Sequence, residues 1–174
     1  SRGKYIHFMD SDDLYYPYSL EKYINTTDEQ TDVVVAHIKT IDFETGKSYG
    51  INNLYSENLI SDFYTGKVIF YVSGPLWKKI FLENQSELFD EQITRQDDWD
   101  FNIRMLLENP SITYVNEPLI KYRRHQNSLN TEVSKLNTRE INSHIKARKK
   151  IEAIIKNKKI NTTIDFKRDI NLFY

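Results

Sequence analysis

Apolar residues come in short blocks along this chain, and the spacing inside each block says which element it builds. Residues 5–9 (YIHFM) are apolar with no polar alternation. That is the pattern of a strand covered on both faces, and it predicts a central place in a sheet. Pro17 stands where a helix can begin, with residues 18–25 behind it. Residues 32–43 (DVVVAHIKTIDF) are β-branched and mostly apolar, a second strand, closed by the turn Glu44-Thr45-Gly46-Lys47. Residues 52–65 space Leu, Ile and Phe among polar positions and predict a helix ended by Gly66. Residues 67–72 read as a strand broken by Ser73-Gly74-Pro75, and residues 76–82 as a short helix.

The second half repeats the alternation. Trp99, Ile103, Leu106 and Leu107 fall at helical spacing and predict a helix over residues 94–109, stopped by Asn109-Pro110. Residues 112–115 and 119–123 read as two short strands parted by Asn116-Glu117-Pro118. A long helix follows over residues 132–159, with Val133, Leu136, Ile141, Ile145, Ile151 and Ile155 on one side. Strands alternating with helices predict an α/β fold with a mixed sheet. The expected organisation is one domain over residues 1–130 and a helical tail over residues 131–174.

Composition narrows the function classes. The 174 residues suffice for one domain with a core, and a net charge of −1 gives no footprint for nucleic acid. Cys is absent, which excludes disulfides and thiolate metal sites and fits a cytoplasmic protein. No apolar stretch approaches the ~20 residues of a membrane helix. Aromatics make up 13% of the chain, including 12 Tyr, residues able to line a polar groove as well as a core.

Three clusters carry candidate chemistry. In FMDSDDL, Asp10, Asp12 and Asp13 crowd like charges at the end of the first apolar run. A strand ending in Asp-x-Asp sets carboxylates at the carboxyl edge of a sheet, where open α/β sheets bind ligands. Asp10 and Asp12, two apart, point the same way in extended backbone. A hard divalent cation supplies the missing counter-charge, since Mg²⁺ takes one or two carboxylates plus phosphate oxygens. A solvated acidic turn is the plainer alternative. A calcium loop counted from Asp10 fails, because Leu14 and Tyr15 stand where an oxygen ligand and a glycine are needed.

The second cluster, TRQDDWDFNIRML, sets Asp97, Asp98 and Asp100 in a first helical turn. Thr94 and Asp97 fit a capping box, and carboxylates suit a helix N-terminus. Asp98, beside Asp97 and flanked by Trp99, is the one a general base requires: partial desolvation raises its pKa toward neutrality. The third cluster, YRRHQNSL, offers Arg123 and His125 as phosphate or metal partners, while Arg124 reads as a charged strand end. His7, His37 and His144 read as structural or solvated, with His7 in the core.

Taken in order, these segments resemble family 2 of the inverting glycosyltransferases, which have the GT-A fold. Residues 3–13 (GKYIHFMDSDD) are similar to that family's G-x-Y-I-x-F-L-D-S-D-D stretch, with Pro17 in its usual place. Gly74-Pro75-Leu76-Trp77-Lys78-Lys79 resembles its acceptor-side G-x-L-[YW]-[KR]-[KR] segment. Asp97-Asp98-Trp99-Asp100-Phe101-Asn102-Ile103-Arg104 resembles its E-D-x-x-F-N-x-R helix start, with Asp97 in place of Glu. Residues 122–128 resemble its Y-R-x-H-x-x-S segment.

The resemblance implies a partial GT-A domain, Rossmann-like with a mixed sheet. It implies that Asp10 and Asp12 form the DxD element holding Mn²⁺ or Mg²⁺ against the diphosphate of a nucleotide-sugar donor, with Asp12 the direct ligand. Asp98 becomes the general base toward a saccharide or lipid-linked acceptor, as in polysaccharide or glycoconjugate synthesis. His125 and Arg123 attend the metal-diphosphate, and Trp77 and Asp97 face the acceptor, Trp77 as a platform for a sugar ring. In the family a nucleotide-binding segment precedes the DxD strand. The expectation is therefore an amino-terminally truncated piece, prone to self-association through an exposed sheet edge. Two other readings stand beside it: a haloacid-dehalogenase-type phosphotransferase with Asp10 as nucleophile, and a catalytically dead interaction module. In the tail, Lys146, Arg148, Lys149, Lys150, Lys156, Lys158 and Lys159 face one acid, Glu152. They form the wet face of a packed helix, or a contact with the anionic inner face of a membrane.

Overall fold

Elements in chain order are β1 (Tyr5–His7), β2 (Leu14–Tyr15), α1 (Ser19–Thr26), β3 (Val33–Asp42), β4 (Ser48–Ile51), α2 (Leu59–Tyr64), β5 (Pro75–Lys78), α3 (Lys79–Glu83), α4 (Asp97–Leu106), β6 (Ile112–Arg124) and α5 (Thr138–Asn157). They come from a computed structural model that describes residues 2–125 and 138–164. The six strands form one sheet in the order β1-β5-β3-β6-β2, with β4 added to β3. Among the described residues only β3 and β6 pair in parallel; the other pairings are antiparallel. The expected α/β class with mixed pairing is what the chain adopts.

β3 is the spine, and its sequence explains why. Val33 and Val35 point into one apolar cluster with Phe63, Phe70, Trp77, Phe101, Ile103, Ile151 and Ile155. Val34 and Ala36 point the other way, into a cluster with Tyr23, Leu76, Val115 and Leu119. A strand buried on both faces needs the unbroken apolar run that residues 33–36 supply. Beside it β6 runs as one strand, where two were expected. Asn116, Glu117 and Pro118 do not end it; register shifts at Ala36/His37 and His37/Ile38 take up the irregularity as a bulge.

Several expectations need correction. The run at residues 5–9 is not central: β1 has only three residues, is half-buried and pairs with β5 alone, at the edge of the described sheet. Residues 67–72 form turns, not a strand. Asn53 Nδ2 donates to the carbonyl of Lys67 at 3.0 Å, and Asn52 Nδ2 to that of Ile69 at 2.6 Å, so side chains satisfy backbone that a ladder would have used. A Cβ on Gly74 would lie 2.1 Å from the Phe70 carbonyl oxygen, so this turn requires glycine. After it comes strand β5, not the expected helix, and α3 starts only at Lys79. His7 is a core histidine satisfied on one side: Nδ1 meets the Tyr15 hydroxyl, and burial lowers its pKa to about 4.

The tail helix is described from Thr138 to Asn157; the earlier part of the predicted helix, with Val133 and Leu136, lies outside the described residues. Its cations are not simply a wet face. Arg148 is buried, and Lys150 bridges Glu87 at 2.6 Å, Asp90 at 2.8 Å and Asp100 at 3.4 Å. Among the described residues no helix is long and apolar enough to cross a membrane.

Trp77 is the largest correction. It is 0% exposed, stacked on Phe81 at 5.4 Å and set edge-on to Phe101 at 5.8 Å, so it offers no face to a sugar. Replacing Trp77 with Ala is expected to destabilise the fold by about 3–5 kcal/mol, the cost of a large aromatic cavity. Urea unfolding measures this; parent stability combined with weakened acceptor binding would restore the surface role.

Candidate functional site

The acidic loop after β1 is built by turning one of its three carboxylates inward. Asp13 N–H donates to the Asp10 carbonyl at 3.1 Å, closing a turn, so Asp10 and Asp12 do not lie in extended backbone as expected. Asp13 is 5% exposed, and its carboxylate accepts from Ser73 Oγ at 3.0 Å and from Arg123 N–H at 3.2 Å. Burial, with Asp10 and Asp12 adding to it, pushes Asp13 up to about 6 despite those two donors. With Asp13 as the inward strut, Asp10 is left exposed and Asp12 half-exposed.

The end of β6 then closes over this loop. Arg123 Nε donates to the Asp12 carbonyl, and its guanidinium lies 4.8 Å from the centre of the Phe43 ring. One residue past β6, His125 Nε2 lies 3.0 Å from Asp12 Oδ2, and its ring meets Phe43 edge-on at 5.9 Å. Two predicted residues, Asp12 and His125, are thus in direct contact across 113 positions of sequence. Arg123 serves the same loop as a brace on its backbone.

The second acidic segment arrives on α4. Helix and cap differ from expectation: α4 begins at Asp97, preceded by Gln96 at φ +65°, and no side chain caps it. Thr94 therefore lies outside the helix end, because the left-handed step at Gln96 turns the chain away first. Asp100 and Arg104 pair at 2.8 Å in the interior, and Arg104 also donates to the Glu87 carbonyl at 2.7 Å, so both are structural. Asp97 is exposed. Asp98 sits deeper with part of its surface open, and its Oδ1 accepts the Trp99 N–H at 2.7 Å.

Electrostatics joins the two segments. Asp98 is pushed up to about 6, chiefly by burial, then by the charges of Asp97 and Asp10. Although its side chain is largely exposed, Asp10 is raised by partial desolvation of its carboxylate, then by the charges of Asp12 and Asp97. Carboxylates 87 and 88 positions apart in sequence, Asp10 with Asp97 and with Asp98, are therefore near enough to repel. Among the described residues no three Asp, Glu or His groups converge to hold a metal by themselves. Asp12 with Asp10 or His125 gives two hard or borderline donors beside uncompensated negative charge. That fits a cation completing its shell with phosphate oxygens and water.

The sequence reading named Asp13 in the acidic cluster without its inward role, and it missed Ser73, Phe43 and Tyr71 as parts of this site. Tyr71, at φ +50°, stacks on Tyr122 at 5.2 Å and feels the Asp98 charge. The Ser73-Gly74-Pro75 break was the only signal for this wall. Gln126, Asn127 and Ser128 lie outside the described residues.

The chain is similar to several known proteins. The model of glycosyl transferase family 2 matches residues 1–83. EpsH of Bacillus subtilis (strain 168), named as a glycosyltransferase, is 27% identical over 139 residues, covering 74% of this chain and 40% of EpsH. MJ1057 of Methanocaldococcus jannaschii, an uncharacterized protein also named as a glycosyltransferase, is 27% identical over 128 residues, covering 71% of this chain and 43% of that one. The crystal structure of S. aureus TarS superposes with a TM-score of 0.62 at 14% identity, covering 97% of this chain and 27% of TarS. The likeness to family 2 glycosyltransferases thus covers the first 83 residues, and the fold is a partial GT-A-like one. The chain spans about two fifths of the length of the curated relatives it matches.

The raised Asp98 carboxyl carries a stability cost with a definite sign. The folded state keeps this proton to about 6, against roughly 4 in the unfolded chain, so stability falls as pH rises across that window. Asp98→Asn is expected to stabilise the protein by about 1–2 kcal/mol at pH 8, with the gain vanishing below about pH 4. Paired thermal melts at the two pH values check this; a gain of the same size at both would remove the charge explanation.

Proposed function

We propose that this chain carries the reaction end of a metal-dependent, inverting glycosyltransferase that moves a sugar from a nucleotide-sugar to an acceptor hydroxyl. The observation supporting it most directly is the meeting of two acidic segments: Asp10 and Asp12, with His125 on Asp12, and Asp97 and Asp98 at the start of α4. One pair sets two carboxylates beside a single histidine, leaving room for a cation, and the other holds a carboxyl near neutrality, which are the two needs of this reaction.

Asp12, with Asp10 or His125, would hold Mn²⁺ or Mg²⁺. When bound, that ion offsets charge on the diphosphate as the nucleoside diphosphate leaves. Asp98 accepts the proton of the acceptor hydroxyl, whose oxygen bonds to the anomeric carbon as the carbon–oxygen bond to the diphosphate breaks. One displacement inverts the anomeric configuration. Asp98 has a pKa of about 6, so it is ionised at neutral pH yet basic enough to take a proton. Asp97, which is exposed, faces the acceptor, a saccharide or a lipid-linked sugar of polysaccharide or glycoconjugate synthesis. A lipid-linked acceptor would be met at the inner face of the cytoplasmic membrane.

Asp98→Asn is expected to lower transfer about a thousandfold. Calorimetric binding of Mn²⁺ with uridine diphosphate should stay within roughly threefold of the parent, and Asp12→Ala should abolish it. The parent's rate should fall toward tenfold per pH unit below about 6, as Asp98 takes up its proton. A phosphoryl group trapped on Asp10 would instead establish dehalogenase-type chemistry. No binding at millimolar ligand would mark an inactive module.

A further inference from the structure

The helix α5 reaches the start of α4 from both sides of Asp98. Before it, Ser143 is 6% exposed and its Oγ does two things at once. It accepts the Arg95 N–H at 3.1 Å and donates to the Arg95 carbonyl at 3.2 Å. After it, the buried Arg148 guanidinium lies 4.7 Å from the centres of both the Trp99 and Tyr64 rings, and its Nη1 donates to the Tyr64 carbonyl at 2.8 Å. Trp99 in turn donates its indole N–H to the Phe63 carbonyl at 3.2 Å. Further on, Lys150 reaches Asp100 at 3.4 Å.

The grip at Arg95 acts where the backbone most needs one. Gln96, the next residue, is a non-glycine in the left-handed region at φ +65°, and α4 has no side-chain cap of its own. Such a conformation costs on the order of 1 kcal/mol and persists only where its surroundings hold it. One hydroxyl that fills both the donor and the acceptor of Arg95 fixes the peptide planes leading into that step. The direction in which Asp97 and Asp98 leave the turn follows from those planes.

We propose that Ser143 is a positioning residue for Asp98, acting through the Arg95–Gln96 turn, with Arg148 on Trp99 as the second hold. This inference rests on the reading of Asp98 as the base. The helical tail is then part of the catalytic apparatus, although none of its described residues touches a reacting group. Misplacing a base by a fraction of an ångström lowers the chemical step and leaves donor binding, which belongs to Asp10, Asp12 and His125, unchanged.

The test compares Ser143→Ala, Ser143→Thr and the parent chain, with steady-state transfer kinetics and amide hydrogen exchange. Ser143→Ala is expected to lower kcat roughly 10- to 100-fold at unchanged donor KM, and Ser143→Thr, which keeps the hydroxyl, to recover most of it. Exchange at the amides of residues 95–98 should speed at least about tenfold in Ser143→Ala, with the β3–β6 amides unaffected. Parent kcat and parent exchange in Ser143→Ala would overturn the proposal, and so would a loss that appears only in KM. If the alanine variant does not fold, Ser143→Cys makes the same comparison with a much weaker bond. If the parent itself transfers no sugar, the functional reading fails and the exchange pattern alone decides whether Ser143 holds the turn.

Discussion

Negative charge gathered at one end of the sheet is the constraint around which this molecule is arranged. Asp10, Asp12 and Asp13 come from the loop after β1, and Asp97 and Asp98 from the start of α4; the two segments lie within reach of each other's field. Nothing in local propensity brings them together. Each is held by a contact from a distant part of the chain: Ser73 and Arg123 on Asp13, His125 on Asp12, Ser143 on the turn before Asp97. Removing such holds lets the carboxylates move apart, which is the direction their repulsion already favours.

The sheet delivers those contacts. β3 and β6 form its longest pairing, ten registered positions from Val33–Ile112 to Asp42–Arg124. That ladder carries Arg123, and just beyond it His125, to the same end at which β1 releases the acidic loop. The bulge opposite His37 lets β6 keep pairing past Pro118, a residue that would otherwise end a strand. Had β6 broken into two strands there, Arg123 and His125 would have lost the support that aims them at Asp12.

Much of this was readable in the sequence, and the limits have physical causes. The apolar run of residues 33–36 announced a strand buried on both faces, and the acidic and basic clusters announced the site, because these signals are local and dense. The edge position of β1 was not readable, since an apolar triplet looks the same whether a second strand or a layer of side chains covers it. Trp77 was placed on the surface because its segment matched a family pattern, while its burial depends on Phe81 and Phe101 arriving from other elements. Asp13 passed as one more acid in a row; only the tertiary donors Ser73 and Arg123 distinguish it from its neighbours. The tail cations read as solvated because their partners, Glu87, Asp90 and Asp100, lie some fifty residues or more away.

The position of Asp98 shows why local rules alone could not have placed it. A helix N-terminus favours carboxylates, but that preference is worth about 0.3–1 kcal/mol at an exposed site. It is smaller than the opposing effect of burial and two neighbouring acids, which leaves Asp98 raised to about 6. The left-handed step at Gln96 adds a further cost of order 1 kcal/mol. A helix start carrying both burdens, without a cap, has to be stabilised from outside, and α5 is the element that packs on it through Ser143, Arg148 and Lys150. Burial that disfavours the ionised carboxylate is also what raises its basicity, so relieving the cost would lower that basicity. The docked helix and the uncomfortable carboxylate are therefore two parts of one arrangement.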